Sequence, residues 1–186
     1  MRTAVLATIV FVLMPLTTVA QQTAAPAAGA GAQTNPVSNA VRRVVERQSK
    51  NMVAAVEAMP ADKYSYRPTP GQMTFGHLVE HMVGANNLLC SKISGAAAPA
   101  EEKLSESDPK EKLVNALKAS FDYCNQALAK VDDSNLGEEL TLFGGQKGTR
   151  ASAMLTLASA FADHYGMAAM YLRLNGLLPP TARPKD

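Results

Sequence analysis

Residues Thr74–Gly95 read TFGHLVEHMVGANNLLCSKISG, and this stretch decides the fold. Phe75, Leu78, Val79, Met82, Ala85, Leu89 and Ile93 recur at three-and-four spacing, the period of one buried helical face. Thr74 supplies an N-cap and Ser94-Gly95 a stop, so both ends of the helix are marked. The run is too long and too regular for a strand.

The same period recurs on both sides. Val37, Val41, Val45, Met52, Val56 and Met59 line a first helix, with Asn35-Pro36 as cap and first turn and Pro60 as terminator. Asp62–Gln72 is a turn-rich connector. After a polar link over 95–108, Ser107-Asp108-Pro109 announces a third helix that runs to about Val131 through Leu113, Leu117, Phe121, Cys124 and Leu128. Leu140–Phe143, followed by Gly144-Gly145, reads as a short irregular or extended piece. A last helix spans Thr149 to Leu174, closed by Asn175-Gly176 and Pro179-Pro180. The expectation is an all-α four-helix bundle.

The 14-residue link over 95–108 reaches roughly 45 Å when extended, enough to return along a helix. Helices 2 and 3 can therefore be parallel, giving the order up-down-down-up. Cys90 and Cys124 then stand at similar heights, about 16 and about 15 residues into their helices. A disulfide between them fits that topology; two free buried thiols are the other reading.

The ends of the chain read differently. Met1–Ala20 carries one charge, Arg2, then an apolar run and a polar Thr17-Thr18-Val19-Ala20 end. This is the layout of a signal peptide cleaved after Ala20, which implies a periplasmic or secreted protein. Ala4 to Leu16 is about 13 residues, short of the roughly 20 that span a bilayer. Residues 21–36, QQTAAPAAGAGAQTNP, form an Ala/Gly/Pro-rich linker, 37–180 the bundle, and 181–186 a tail. No stable membrane span is expected after cleavage.

Composition excludes several classes. Lys and Arg number 18 against 16 Asp and Glu, a net charge of +2, so no nucleic-acid surface is indicated. Aromatics are 5% with no Trp, which argues against stacking platforms. Two Cys cannot build a Cys-rich zinc site. No Gly-x-Ser-x-Gly elbow, phosphate-cradling loop, Cys-x-x-Cys pair or covalent haem motif is present.

Three histidines remain. His77 and His81 stand one turn apart on the second helix, a spacing at which two imidazoles can chelate one ion. His164 lies mid-way along the last helix, where a bundle can bring it opposite. Tyr165, Tyr171 and Arg173 share that helix; the tyrosines suit either ligand hydrogen bonds or bridges between core and surface. Asn86 reads as structural. Asp163 and Glu80 read as solvated or as standing behind a site.

Two stretches together carry a resemblance. RPTPGQMTFGHLVEHMVGAN (67–86) and ADHYGMAAMYLRLNGLLPP (162–180) resemble the entry to the second helix and the end of the last helix in the DinB-like superfamily of metalloenzymes. The likeness extends over Val37 to Pro180. It implies an up-down-down-up bundle and a divalent metal, Zn or Ni, held by one His on helix 2 and a His-x-x-x-His pair on helix 4. His81 and His164 match two of these positions. The first member of the pair falls at Ala160, which offers no donor. Two readings follow. In one, His77 completes a shifted His77/His81/His164 set serving thiol transfer or hydrolysis. In the other, the bundle has lost the metal and binds a small ligand or a protein partner, with homodimerisation a further expectation of such bundles.

Overall fold

The structure is a computed structural model that describes residues 34–100 and 103–184. The signal peptide and nearly all of the linker expected from the sequence lie outside the described residues. Four helices carry the fold: α1 (Pro36–Ala58), α2 (Phe75–Ser94), α3 (Lys110–Leu128) and α4 (Arg150–Leu174). Between α3 and α4 a hairpin pairs β1 (Glu139–Thr141) with β2 (Lys147–Thr149), antiparallel, Leu140 opposite Gly148. The short irregular or extended piece expected at Leu140–Phe143 holds the end of β1 and the start of the hairpin turn. Its pairing escaped the sequence because each strand is only three residues long.

The apolar stripes meet in one core. Val45, Phe75, Leu117, Leu157 and Leu172 are fully buried, one or more from each helix. Each such side chain contributes about 1.5–3 kcal/mol by leaving water.

Helices α2 and α3 are parallel neighbours. Cys90 and Cys124 form a disulfide with Cα atoms 5.2 Å apart, and both residues are wholly buried. One turn earlier, the buried Asn86 Nδ2 donates to Ser120 Oγ at 2.9 Å. Tyr171 near the end of α4 packs on Phe75 at the start of α2, ring centroids 5.9 Å apart, so α4 runs antiparallel to α2. The order is up-down-down-up.

Helix ends are tied to distant segments. Asn35, expected as the cap of α1, lies in the left-handed region (φ 57°) and its side chain caps nothing. Asp133 from the loop after α3 takes that role: Oδ2 accepts from Val37 N at 2.9 Å and Oδ1 from Ser38 N at 2.8 Å. Arg42 on α1 donates to the carbonyls of Leu128 and Val131, and Lys110 donates to those of Glu57 and Met59. These bonds join α1 and α3 head to tail. The expected cap of α3 also differs. Asp108 accepts from Ser105 N at 2.8 Å and pairs with Lys112 at 3.0 Å, while α3 starts without a side-chain cap.

The link before α3 is pinned at the start of α2. A Cβ on Gly76 would lie 2.3 Å from the Glu106 carbonyl oxygen, so only glycine permits this approach. Thr74 Oγ1 donates to Glu106 Oε2 at 2.7 Å and accepts from His77 N, capping α2 as expected.

Asp133 gives the first prediction. Burial pushes its carboxyl up, but bonds from Ser38 and Val37 and the nearby Arg42 outweigh this and hold it below the usual value. Its stabilising effect is therefore present above the unfolded carboxylate pKa and lost as pH falls through the folded one. Asp133→Ala should lower the thermal midpoint at neutral pH by a few degrees, measured by circular dichroism. The gap from wild type should close in acid.

Candidate functional site

The faces of α2 and α4 that meet are built by residues at one-turn spacing. His77, His81, Ala85 and Leu88 follow one another along α2, and Thr156, Ala160 and His164 along α4. Between them lies an open cleft of about 650 Å³. His77, Glu80, His81, Ala160 and His164 are among its lining, with apolar wall from Ala85, Leu88, Leu89 and Phe143. Phe143 comes from the turn of the hairpin.

His81 and His164 converge. Their ring centroids are 5.0 Å apart, edge to face at 64°. Burial lowers the pKa of His164, and the charge of His81 lowers it further. Asp163 and the Ala160 backbone act more weakly the other way. His164 is thus a neutral imidazole at neutral pH, able to donate one hydrogen bond and accept one.

His77 lines the same cleft but is turned to other partners. Its Nδ1 lies 3.4 Å from Glu106 Oε2 and 3.9 Å from Glu80 Oε2, and the ring is half exposed. A catalytic zinc takes three protein ligands. Here two imidazoles face each other and the place one turn before His164 carries the methyl of Ala160. Among the described residues no group of three or more His, Cys, Asp or Glu side chains is arranged to hold a metal ion. The donor set therefore does not fit a resident three-ligand metal. Both cysteines are in the disulfide, so the chain presents no thiol of its own.

The tyrosine candidates fall outside the cleft. Tyr171 donates to the Met73 carbonyl at 2.6 Å, and Tyr165 meets Thr181 Oγ1 at 2.9 Å, so both bridge core to backbone or loop. Glu80, expected to be solvated or to stand behind a site, lines the cleft, as do Thr156 and Phe143. The four-residue step from Thr156 to Ala160 to His164 carried a signal for Thr156. Nothing local marked Glu106 or Phe143.

The lowered pKa of His164 yields a second prediction. A histidine held neutral in the folded state costs stability once the unfolded chain takes up protons, below the unfolded value of about 6.5. The thermal midpoint should fall from pH 7 to pH 5, and His164→Gln should flatten that part of the profile. An unchanged slope in the variant would contradict the burial argument.

Comparison with known proteins agrees with this architecture. A DinB-like protein of Bacillus cereus superposes with a TM-score of 0.65 at 18% identity, covering 76% of this chain and 95% of its own. A DinB-like protein of Bacillus subtilis gives 0.63 at 22%, covering 78% and 100%. At such identities the likeness speaks for the fold alone. No functionally curated protein matches the chain. The sequence pattern of the DinB superfamily matches residues 45–168, about two thirds of the chain. The chain, with its up-down-down-up bundle and its histidines across α2 and α4, belongs to the DinB superfamily.

Proposed function

We propose that the protein is an exported member of the superfamily that binds a small, partly apolar organic molecule in the cleft between α2 and α4. The observation that carries this reading is the wall itself: two converging imidazoles set among Ala85, Leu88, Leu89, Phe143 and Ala160. A cleft of about 650 Å³ is of the size that takes drug-sized ligands, and such sites combine apolar walls with a few placed polar groups. His164, neutral and half-buried, has its N–H turned to the Ala160 carbonyl and offers its other nitrogen as an acceptor to a hydroxyl or amide N–H. The apolar remainder of the ligand lies along Leu88 and Phe143, both exposed in the free protein.

A second reading keeps the metal. The 5.0 Å approach of His81 and His164 also suits two imidazoles sharing a Zn or Ni ion, with His77 as third ligand and thiol transfer or hydrolysis as the reaction class. The orientation of His77 toward Glu106 counts against it.

Two measurements on tag-free protein separate the readings. Titration with the uncharged fluorescent probe N-phenylnaphthylamine should show one saturable site, abolished in Gly84→Leu. A Cβ at Gly84 meets nothing within 4 Å, and replacing a helical glycine gains up to about 1 kcal/mol, so lost binding would not reflect unfolding. Metal analysis should find well under one equivalent of Zn or Ni. A stoichiometric ion that disappears in His81→Ala and in His164→Ala would instead establish the metal reading.

A further inference from the structure

We infer, resting on the ligand reading above, that the cleft takes a cationic amphiphile. An ammonium head is held at Glu80, and the apolar part of the molecule lies toward Leu88 and Phe143. The chemistry of the wall changes along α2. At the start of the helix the lining residues are His77, Glu80 and His81; further along they are Gly84, Ala85, Leu88 and Leu89. The hairpin adds Phe143 to the apolar part. One end of the cleft is thus polar and acidic, the other apolar. Glu80 and Leu88 are eight residues apart on α2, about 12 Å at the helical rise. A molecule with a charged head and an apolar body of that span matches both ends at once.

The sign of the head follows from the charges in the wall. Glu80 brings a carboxylate, and among the described residues lining the cleft there is no Lys or Arg to balance it. Its side chain is only a third exposed, and the His77 Nδ1 near it stands 3.9 Å away. That nitrogen lies nearer to Glu106 Oε2, at 3.4 Å, so a second carboxylate adds negative potential behind the same end of the cleft. Lys103 borders a separate pocket on the α3 side of α2, which Glu80 also touches. Low-dielectric walls strengthen the field of a fixed charge. A carboxylate at the head of an apolar slot therefore favours an ammonium over a neutral group and repels an anion. The ammonium N–H groups also supply charge-assisted hydrogen bonds to the carboxylate oxygens.

Two pairs of fluorescent probes, each matched in skeleton and differing in charge, test this. Dansylcadaverine carries an ammonium and its N-acetyl derivative does not; anilinonaphthalene sulfonate is N-phenylnaphthylamine with a sulfonate added. All four are titrated into tag-free protein at low and at high salt. At low salt the ammonium probe should bind about three- to fivefold more tightly than its acetylated twin, the advantage of a partly exposed ion pair. High salt should shrink that advantage, since it screens such pairs. The sulfonate should bind more weakly than N-phenylnaphthylamine. In Glu80→Gln the preference for the ammonium probe should vanish. Glu46→Gln, which removes a like charge from α1 outside the cleft, should keep it. Equal binding of the ammonium probe and its acetylated twin by the wild type, with N-phenylnaphthylamine still bound, overturns the inference and leaves the ligand reading standing. A preference that survives in Glu80→Gln also overturns it. Failure of all four probes to bind overturns the ligand reading and the inference together.

Discussion

The parallel pairing of α2 with α3 is the constraint from which the rest follows. Cys90–Cys124 and Asn86–Ser120 hold the two helices at equal height, and the buried crosslink closes a separation of 34 residues. In the chain-entropy account a loop of that size is worth about 3–4 kcal/mol. Parallel neighbours in sequence need a long return, and residues 95–109 provide it. That return is seated where Gly76 lets the Glu106 backbone approach α2 closely. With α2 and α3 side by side in one direction, α4 must run against α2, and only then does His164 come level with His81.

The helices were legible in the sequence because their signal is local. A stripe such as Phe75, Leu78, Met82, Leu89 states its period within one element, and Thr74, Gly95 and Thr149 mark ends through bonds spanning a few residues. The disulfide was legible in part: topology and link length put Cys90 and Cys124 at one height, where a disulfide and two free thiols were both open, and the structure has the disulfide. What sequence reading missed depends on contacts between distant segments. Asp133 caps a helix that begins some 95 residues earlier, and no pattern near Asn35 announces it. The hairpin was too short to show alternation. Glu106 reaches His77 only because the connector folds back, so the orientation of that histidine lay beyond the reach of spacing arguments.

The cleft shows the same division. His81 and His164 were identifiable as partners, and they meet. Their chemical setting was not, since it depends on a hairpin residue, Phe143, and on the small residues Gly84, Ala85 and Ala160 opening space beside the rings. A neutral imidazole in an apolar wall is suited to hydrogen bonding a ligand with modest desolvation cost, whereas an ion with two protein donors would have to draw its remaining coordination from outside. The superfamily scaffold is thus held by packing, caps and a crosslink that do not involve the imidazoles.

The cleft beside the His81 and His164 rings belongs, in our proposal, to an organic ligand. Crystals of tag-free protein grown with N-phenylnaphthylamine, with diffraction recorded on both sides of the zinc and nickel absorption edges, test it most directly. Difference density for the probe is expected along Leu88 and Phe143, with no anomalous peak beside the two rings. An anomalous peak shared by the two imidazoles would contradict it.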